Sequence, residues 1–225
     1  YTMGQHGFAR DSEFICTDIT DASLTFVLKS SEETLKVYPF AFALKITYTL
    51  KEHDLDVCWE VVNKDSETMY FTIGGHPAFR VPVREGESQS DYRLAFEEQD
   101  ALTYLLIDTS VGTVIADEPH TLPLENGTCA IDPHMFDKDA LVFDNGQIQK
   151  AGILFPDGSP YLTLTSEGFP NFGIWSVPGA PFVCLEPWMG RCDDCGFEKP
   201  LSEKANTNVL KPDEEFIRSY QITVH

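Results

Sequence analysis

The amino-acid sequence predicts an all-β fold built on an antiparallel sheet, in a sandwich or a barrel. In the segments 23–28, 44–50 and 55–61, apolar and polar residues alternate, which is typical of strands with one buried face. The polar segment 51–54, between the last two, has the length and composition of a hairpin connection. No long stretch of the sequence has the period of a helix. Short strands joined by polar turns indicate an antiparallel sandwich or barrel.

Further strand-like segments continue along the chain and favour a single domain over residues 1–225. They are the segments 69–73, 92–96, 161–165, 172–177, 182–190 and 216–224. A length of 225 residues allows one large domain or two small ones. The sequence contains no internal repeat, linker or low-complexity segment that would divide it, so we predict one domain.

The composition limits the classes of partner. Lysine and arginine total 16 against 36 aspartates and glutamates, which gives a net charge of −20. Nucleic acids and anionic lipids are bound through clustered basic residues, so we expect neither nucleic acid nor membrane as a partner. No apolar run reaches the length that spans a bilayer. A small molecule is the expected partner, and the charge mildly disfavours a multiply charged anion.

The six cysteines indicate free thiols in a reducing compartment. The sequence begins without a basic region followed by an apolar region, so we expect a cytoplasmic protein. Cys184, Cys192 and Cys195 cluster, and the last two form a CxxC pair. One CxxC without a second pair is a weak signal for zinc or redox chemistry, and we expect no metal at this cluster.

One histidine follows a glycine pair at the end of a strand-like segment. Gly74 and Gly75 precede His76, and Pro77 follows it. Glycines at a strand end suit a bulge or a sharp turn, and proline biases the preceding residue towards an extended backbone. His76 is therefore a candidate for proton exchange with a ligand near neutral pH. The structural alternative is a turn whose histidine binds a nearby carbonyl group.

Three further residues are candidates for a site, and each has a structural alternative. Glu186 ends an apolar strand, where burial raises the pKa of a carboxyl towards that of a useful base, but such a glutamate can equally be structural. Arg10 is suited to forked hydrogen bonds with vicinal hydroxyls, or to an ion pair with Asp11 or Glu13. Asp139 precedes an apolar run and is either an acceptor at a strand edge or part of a solvated acidic loop.

Together these four residues suggest acid–base chemistry on a sugar. A glutamate base and a histidine acid that face each other across a sugar ring can open a hemiacetal. Glu186 would take the proton of the anomeric hydroxyl, and His76 would protonate the ring oxygen. Rotation about C1–C2 and closure of the ring then give the other anomer. This reaction requires no redox cofactor and no metal.

Four motifs resemble those of the aldose 1-epimerase (galactose mutarotase-like) family, in its bacterial aldose 1-epimerase-like branch. They are Met-Gly-Gln-His-Gly-Phe-Ala-Arg at 3–10, Gly-Gly-His-Pro-Ala-Phe at 74–79, Phe-Asp-Lys-Asp-Ala-Leu-Val-Phe at 136–143 and Leu-Glu-Pro-Trp-Met-Gly at 185–190. Their order and spacing run through nearly the whole chain. Each motif is moderately specific, and four of them in order make a strong resemblance.

The resemblance implies a large antiparallel β-sandwich with an open carbohydrate cleft. It implies that His76 is the general acid and Glu186 the general base. Arg10 and Asp139 match residues that bind the sugar, and His6 is the candidate for a second histidine found in galactose mutarotases. Members of the family carry further strands before the first motif, so we expect the chain to be N-terminally incomplete.

The function expected from these observations is that of an aldose 1-epimerase, an isomerase that interconverts the α and β anomers of a hexose without a cofactor. A hexose-6-phosphate 1-epimerase is the first alternative, and it would need several Arg or Lys side chains around the phosphate. A non-catalytic carbohydrate-binding protein of the same fold is the second, and it would need no acid–base pair. We expect a monomer or a homodimer.

Overall fold

The computed structural model describes residues 1–97 and 99–225. These residues form two compact units. The first contains Tyr1–Phe71 and Asn208–Gln221, and the second contains Thr72–Thr207 and Ile222–His225. The assignment of 1–225 to one domain stays a prediction. Among the described residues, no helix has the length and apolar character needed to cross a membrane.

Most of the regular secondary structure in the described residues is antiparallel strand, which confirms the predicted fold class. The strands are β1 (Ile15–Ile19), β2 (Ser23–Lys29), β3 (Phe42–Lys51), β4 (Asp54–Asn63), β5 (Met69–Phe71), β6 (Ile73–Gly74), β7 (Ala78–Arg80), β8 (Arg93–Phe96), β9 (Ala101–Tyr104), β10 (Ile107–Asp108), β11 (Thr113–Val114), β12 (His120–Pro123), β13 (Thr128–Ala130), β14 (Leu141–Phe143), β15 (Lys150–Leu154), β16 (Pro160–Thr165), β17 (Asn171–Trp175), β18 (Phe182–Met189), β19 (Asn208–Leu210) and β20 (Glu215–Val224). The helices are α1 (Glu32–Val37) and the short 3-10 turns Ala9–Asp11, Gln89–Asp91 and Leu201–Glu203.

The first unit is built on the alternating segments that the sequence indicated. Its strands lie in the order β1-β2-β3-β4-β20, with β19 beside β5. The connection between β3 and β4 is the predicted hairpin, because Lys51 pairs with Asp54. In β4 the side chains of Val57, Trp59 and Val61 are buried, and the residues between them are partly exposed. This period of two gives the sheet one apolar face.

A short helix, α1, interrupts the strands of the first unit. Ser31 caps it, since the Ser31 hydroxyl accepts a hydrogen bond from the Thr34 N–H and the Thr34 hydroxyl accepts one from the Ser31 N–H. The helix is only six residues long. It is therefore too short for an apolar period to appear in the sequence, and the sequence prediction missed it.

The larger sets of antiparallel strands in the second unit bury apolar side chains. One has the order β16-β15-β8-β13, and the other has the order β14-β17-β18-β6, with β7 also beside β18. Every residue of β18 from Val183 to Pro187 is buried. Continuous burial means that protein covers both faces of this strand. Glu186, in the middle of β18, is therefore a carboxyl group in the interior.

The single strand predicted over 69–73 is two strands in the structure. β5 pairs with β19 in the first unit, whereas β6 pairs with β18 in the second. Thr72 separates them. The prediction was wrong on this point because the two halves of the segment form backbone hydrogen bonds with different partners, which local alternation does not reveal.

Candidate active site

Backbone pairing in the second unit places His76 opposite Glu186. The strands β6 and β7, on either side of the histidine, both run antiparallel to β18. The Cα partners are Gly74 with Trp188 and Ala78 with Cys184. In an antiparallel register the residue numbers of two paired residues have a constant sum, and for both of these pairs the sum is 262. The numbers 76 and 186 have the same sum, so the same register places His76 opposite Glu186.

Two hydrogen bonds continue this register through the segment that carries the histidine. The Gly75 N–H donates to the Pro187 carbonyl at 2.9 Å, and the Leu185 N–H donates to the Pro77 carbonyl at 3.3 Å. The backbone on both sides of His76 is therefore held against β18. The position of the histidine is set by the sheet, although it lies between two strands and belongs to neither.

The two side chains lie next to each other. His76 Nδ1 is 3.3 Å from Glu186 Oε1, and the side chains are 38% and 5% exposed. This separation is too short for a sugar ring to lie between them, so the expected arrangement across a ring was wrong. A hemiacetal does not require it, because the hydroxyl oxygen and the ring oxygen are bonded to the same carbon. Adjacent acid and base groups can reach both oxygens from one side.

Burial gives the Glu186 carboxyl the character of a base that works near neutral pH. Burial raises its pKa to about 8, a hydrogen bond from the Trp188 side chain opposes that rise, and the negative charge of Asp139 adds to it. The charge effect means that Asp139 lies close enough to Glu186 to interact with it. Asp139 is half-buried, and its Oδ1 accepts a hydrogen bond from the Ala140 N–H at 2.7 Å.

The backbone of Asp139 has a left-handed conformation, with φ of 77°. It follows a turn in which its own N–H donates to the Phe136 carbonyl at 3.1 Å, and it stands two residues before β14. Aspartate adopts this conformation more readily than most residues. The turn therefore fixes the backbone that carries the Asp139 carboxylate, and its assignment as a strand-edge acceptor stays a prediction.

Trp188 occupies the space that two glycines leave. A Cβ atom at Gly74 would lie 2.5 Å from Trp188 Cδ1, and one at Gly173 would lie 2.3 Å from Trp188 Cζ2. Gly74 is part of β6 and does not have a positive φ. The sequence suggested that this glycine serves a bulge or turn. Its observed role is to let the indole approach the backbone, which brings the Trp188 side chain to Glu186.

We expect the Gly173→Ala variant to be destabilised by about 1–3 kcal/mol, the usual range for overpacking a filled site. The new methyl group would displace the Trp188 ring from its present position. Thermal unfolding measures the loss. Gly4→Ala is the control, because no atom lies within 4 Å of a Cβ at Gly4 and its φ is not positive. Equal stability of the two variants would contradict the close packing of Trp188.

Two residues of this site were missed by the sequence reasoning. The rings of Trp175 and His76 meet edge to face, with centroids 5.9 Å apart and planes at 78°. Cys184 lies two residues before Glu186 on β18, and its thiol is buried. Because alternate residues of a strand lie on the same face, the position of Cys184 two residues before Glu186 was a signal that could have identified it. Trp175 on β17 pairs with Cys184 on β18. Its place in the site therefore depends on which strands become neighbours, which the local sequence does not show.

Arg10 and His6 belong to the first unit. Arg10 forms a two-pronged ion pair with its neighbour Asp11, with Nε–Oδ1 at 3.1 Å and NH2–Oδ2 at 3.0 Å. This is the structural alternative that the sequence left open. The hydrogen bond from Arg10 lowers the pKa of the Asp11 carboxyl against the smaller opposing effect of burial, and the charges of Arg10 and His6 lower it slightly further. The assignment of both basic residues to sugar binding stays a prediction.

The cysteines of the CxxC pair have separate surroundings. Cys192 packs against a buried cluster of Leu105, Val114 and Val142. Cys195 is exposed, and its Sγ lies 3.1 Å from the Thr113 hydroxyl. All six cysteines are free thiols.

An ion pair in the second unit anchors the chain just after β18. Arg191 binds Asp144 in forked fashion, with Nε–Oδ1 and NH2–Oδ2 both at 2.8 Å, and its NH2 also lies 2.8 Å from Asp194 Oδ1. Burial alone would lower the pKa of the guanidinium, but hydrogen bonds and charges from the two aspartates outweigh burial and raise it. The Arg191 side chain is only 10% exposed. Its role is therefore structural.

We expect the Arg191→Met variant to lose about 3 kcal/mol of unfolding free energy, because removing one partner leaves a poorly solvated carboxylate at Asp144 without its counter-charge. Urea denaturation measures this loss. Lys199→Met is the matched control, since the Lys199–Glu203 pair is 68% and 55% exposed. An exposed pair contributes about 0–1 kcal/mol. A loss for Arg191→Met no larger than for the control would contradict the anchoring role.

The fold of this chain is similar to that of solved galactose mutarotase-related proteins. The match to a galactose mutarotase related enzyme from Lactobacillus acidophilus covers 100% of this chain and 75% of that protein, with a TM-score of 0.91 and 32% identity. The match to a galactose mutarotase-like protein from Lactobacillus casei ATCC 334 covers 100% of this chain and 77% of that protein, with a TM-score of 0.89 and 31% identity. The fold is thus of the galactose mutarotase-like class.

The sequence comparisons agree with the fold. The protein LacX of Lactococcus lactis subsp. lactis, encoded on a plasmid, is 30% identical over 223 residues, which are 98% of this chain and 74% of LacX. The family model described as aldose 1-epimerase matches residues 1–215. The chain therefore belongs to the aldose 1-epimerase family, as its four motifs suggested.

Proposed function

We propose that this protein is an aldose 1-epimerase that interconverts the α and β anomers of a neutral hexose. The observation that carries the proposal is the His76–Glu186 pair. A histidine and a buried carboxyl 3.3 Å apart form an acid–base pair that can act on the two oxygens of one hemiacetal carbon. Family membership supports the same class of reaction.

In the proposed mechanism Glu186 accepts the proton of the anomeric hydroxyl while His76, as imidazolium, donates a proton to the ring oxygen. The C1–O5 bond breaks and leaves an open-chain aldehyde. Rotation about C1–C2 presents the other face of the carbonyl, and ring closure returns both protons to where they began. The carboxylate near the imidazolium stabilises the charged histidine before transfer. Asp139 is the proposed acceptor for a sugar hydroxyl.

Aromatic side chains support a sugar as the substrate. Trp175 and Trp188 are both beside the acid–base pair. The Trp175 ring packs edge to face with the His76 ring, and the Trp188 side chain donates a hydrogen bond to Glu186. Aromatic faces pack well against the apolar C–H surface of a pyranose while the ring hydroxyls bind polar groups. We place the sugar against these rings, with its anomeric carbon at the His76–Glu186 pair.

The charges of the site region favour a neutral hexose over a hexose 6-phosphate. A phosphate needs uncommitted Arg or Lys side chains around it. Arg191 is bound by Asp144 and Asp194, and Arg84 lies over the Phe155 ring at 4.1 Å. The net charge of −20 further disfavours a dianionic ligand. We also propose a cytoplasmic location, which the free state of all six cysteines supports.

The experiment that tests this function is exchange NMR of the anomeric resonances of galactose and glucose, with and without the full chain. We expect faster α–β exchange in both sugars or in one of them, and less acceleration with glucose 6-phosphate. Acceleration confined to glucose 6-phosphate would favour the phosphorylated substrate. Sugar binding without any acceleration would overturn the epimerase and favour a carbohydrate-binding protein.

A further inference from the structure

A third potential ligand group lies beside the proposed acid–base pair. One ligand atom from each of His76, Cys184 and Glu186 lies within 4.8 Å of the other two. Cys184 and Glu186 are two residues apart on β18, so their side chains leave the same face of the strand. The acid–base mechanism has no use for a thiol at this position.

The spacing of these atoms suits a tetrahedral zinc ion. Bonds of about 2.0–2.2 Å to nitrogen and oxygen at tetrahedral angles place those two ligand atoms roughly 3.3 Å apart. The observed Nδ1–Oε1 separation of His76 and Glu186 is 3.3 Å. A sulfur at about 2.3 Å from zinc would lie roughly 3.6 Å from each of them. Since the three atoms already lie within 4.8 Å, the thiol needs to shift by only about 1 Å.

The chemistry of the three groups selects among cations. A thiolate and an imidazole favour zinc over magnesium or calcium, which prefer oxygen ligands. Three protein ligands plus one water are the usual set for zinc at an accessible site. The His76 side chain is 38% exposed and offers a route for the ion, while Cys184 and Glu186 are almost fully buried.

We propose that His76, Cys184 and Glu186 form a binding site for Zn²⁺, and that zinc bound there reversibly inhibits the enzyme. Zinc bound to His76 would occupy the ring nitrogen that donates the proton, or would fix the imidazole ring if the other nitrogen donates it. Zinc bound to Glu186 would occupy the carboxylate that accepts a proton. The binding part of this inference stands on the ligand geometry alone. The inhibition part rests on the proposed epimerase function.

Cobalt(II) titration of the full chain tests the binding. Co²⁺ replaces Zn²⁺ in tetrahedral sites, and a cysteine ligand gives a thiolate-to-cobalt absorption band in the near ultraviolet. We expect this band in the parent protein, its loss on addition of Zn²⁺, and its absence in Cys184→Ser. Zinc affinity should fall at least ~10-fold in that variant, since loss of even an outer partner of a metal ligand costs 10–100-fold.

Cys192→Ser and Cys195→Ser are the matched controls, because they change the CxxC thiols and leave the three ligands intact. Both should keep the band and the parent affinity. If Cys184→Ser does not fold, His76→Asn serves instead, since it alters the most exposed ligand and should also abolish the tetrahedral cobalt spectrum. A band absent from the parent, or present unchanged in Cys184→Ser, would overturn the inference.

The inhibition is measured as the ratio of exchange rates with and without Zn²⁺, separately for each variant. We expect zinc to slow the parent and both controls, EDTA to restore their rates, and Cys184→Ser to respond at least ~10-fold more weakly. Epimerase activity with neither zinc binding nor inhibition would refute the site and leave the proposed function standing. Zinc binding by a chain without epimerase activity would refute the proposed function and leave the site standing.

Discussion

Replacing Glu186 with glutamine is expected to lower the kcat of anomer interconversion by ~10²–10⁴-fold, the usual contribution of a general base. The amide has nearly the shape of the carboxyl but cannot accept the proton of the anomeric hydroxyl. Its oxygen can still accept the hydrogen bond from the Trp188 side chain. Sugar affinity should therefore change little, and the loss should appear in kcat while KM stays near the parent value.

The fold should tolerate this substitution. Glu186 is buried, and its raised pKa of about 8 means that the interior favours an uncharged side chain at this position. We expect a thermal midpoint for Glu186→Gln no lower than that of the parent. Glu125→Gln is the matched control, because the Glu125 side chain is 84% exposed and should have no effect on exchange. A rate for Glu186→Gln equal to that of the control would show that Glu186 is not the base.

The two residues of the proposed acid–base pair could be singled out from the sequence, but the contact between them could not. His76 and Glu186 stand out locally, one between a glycine pair and a proline, the other inside an apolar strand. Their contact depends on the register that β6 and β7 share on β18. That register joins segments far apart in the chain, and no local pattern specifies which strands become neighbours. The sequence therefore suggested groups facing across a sugar, whereas they lie side by side.

Gly74, two residues before the histidine, is a second example of what the local sequence could not predict. A glycine at a strand end suggested a turn or a bulge, but it also permits the close approach of another side chain. At Gly74 the reason is the Trp188 indole, which comes from β18. For Arg10 the local sequence contained the answer among its alternatives, since the Asp11 ion pair joins adjacent residues. Local contacts were thus within reach of sequence reasoning, and contacts across the sheet were not.

We expect the His76→Asn variant to lose ~10²–10⁴-fold in kcat, because asparagine cannot supply the proton that the ring oxygen needs when the C1–O5 bond breaks. The side chain is 38% exposed, so its replacement should cost little stability. Asparagine can still form hydrogen bonds, and sugar binding measured by NMR should persist. His134→Asn is the matched control, since the His134 side chain is 81% exposed and pairs with Asp137 in a turn.

Chemical rescue separates a catalytic role of His76 from a purely structural one. The partial exposure of this side chain leaves a path for a small molecule, so added imidazole should restore part of the exchange rate in His76→Ala. The rescued rate should increase with imidazole concentration and then saturate, and imidazole should not rescue Glu186→Gln, in which the base is missing. Full activity of His76→Asn would remove His76 from the mechanism. A loss in His76→Ala that imidazole leaves unchanged would assign His76 to positioning Glu186, with the ring oxygen protonated by another group.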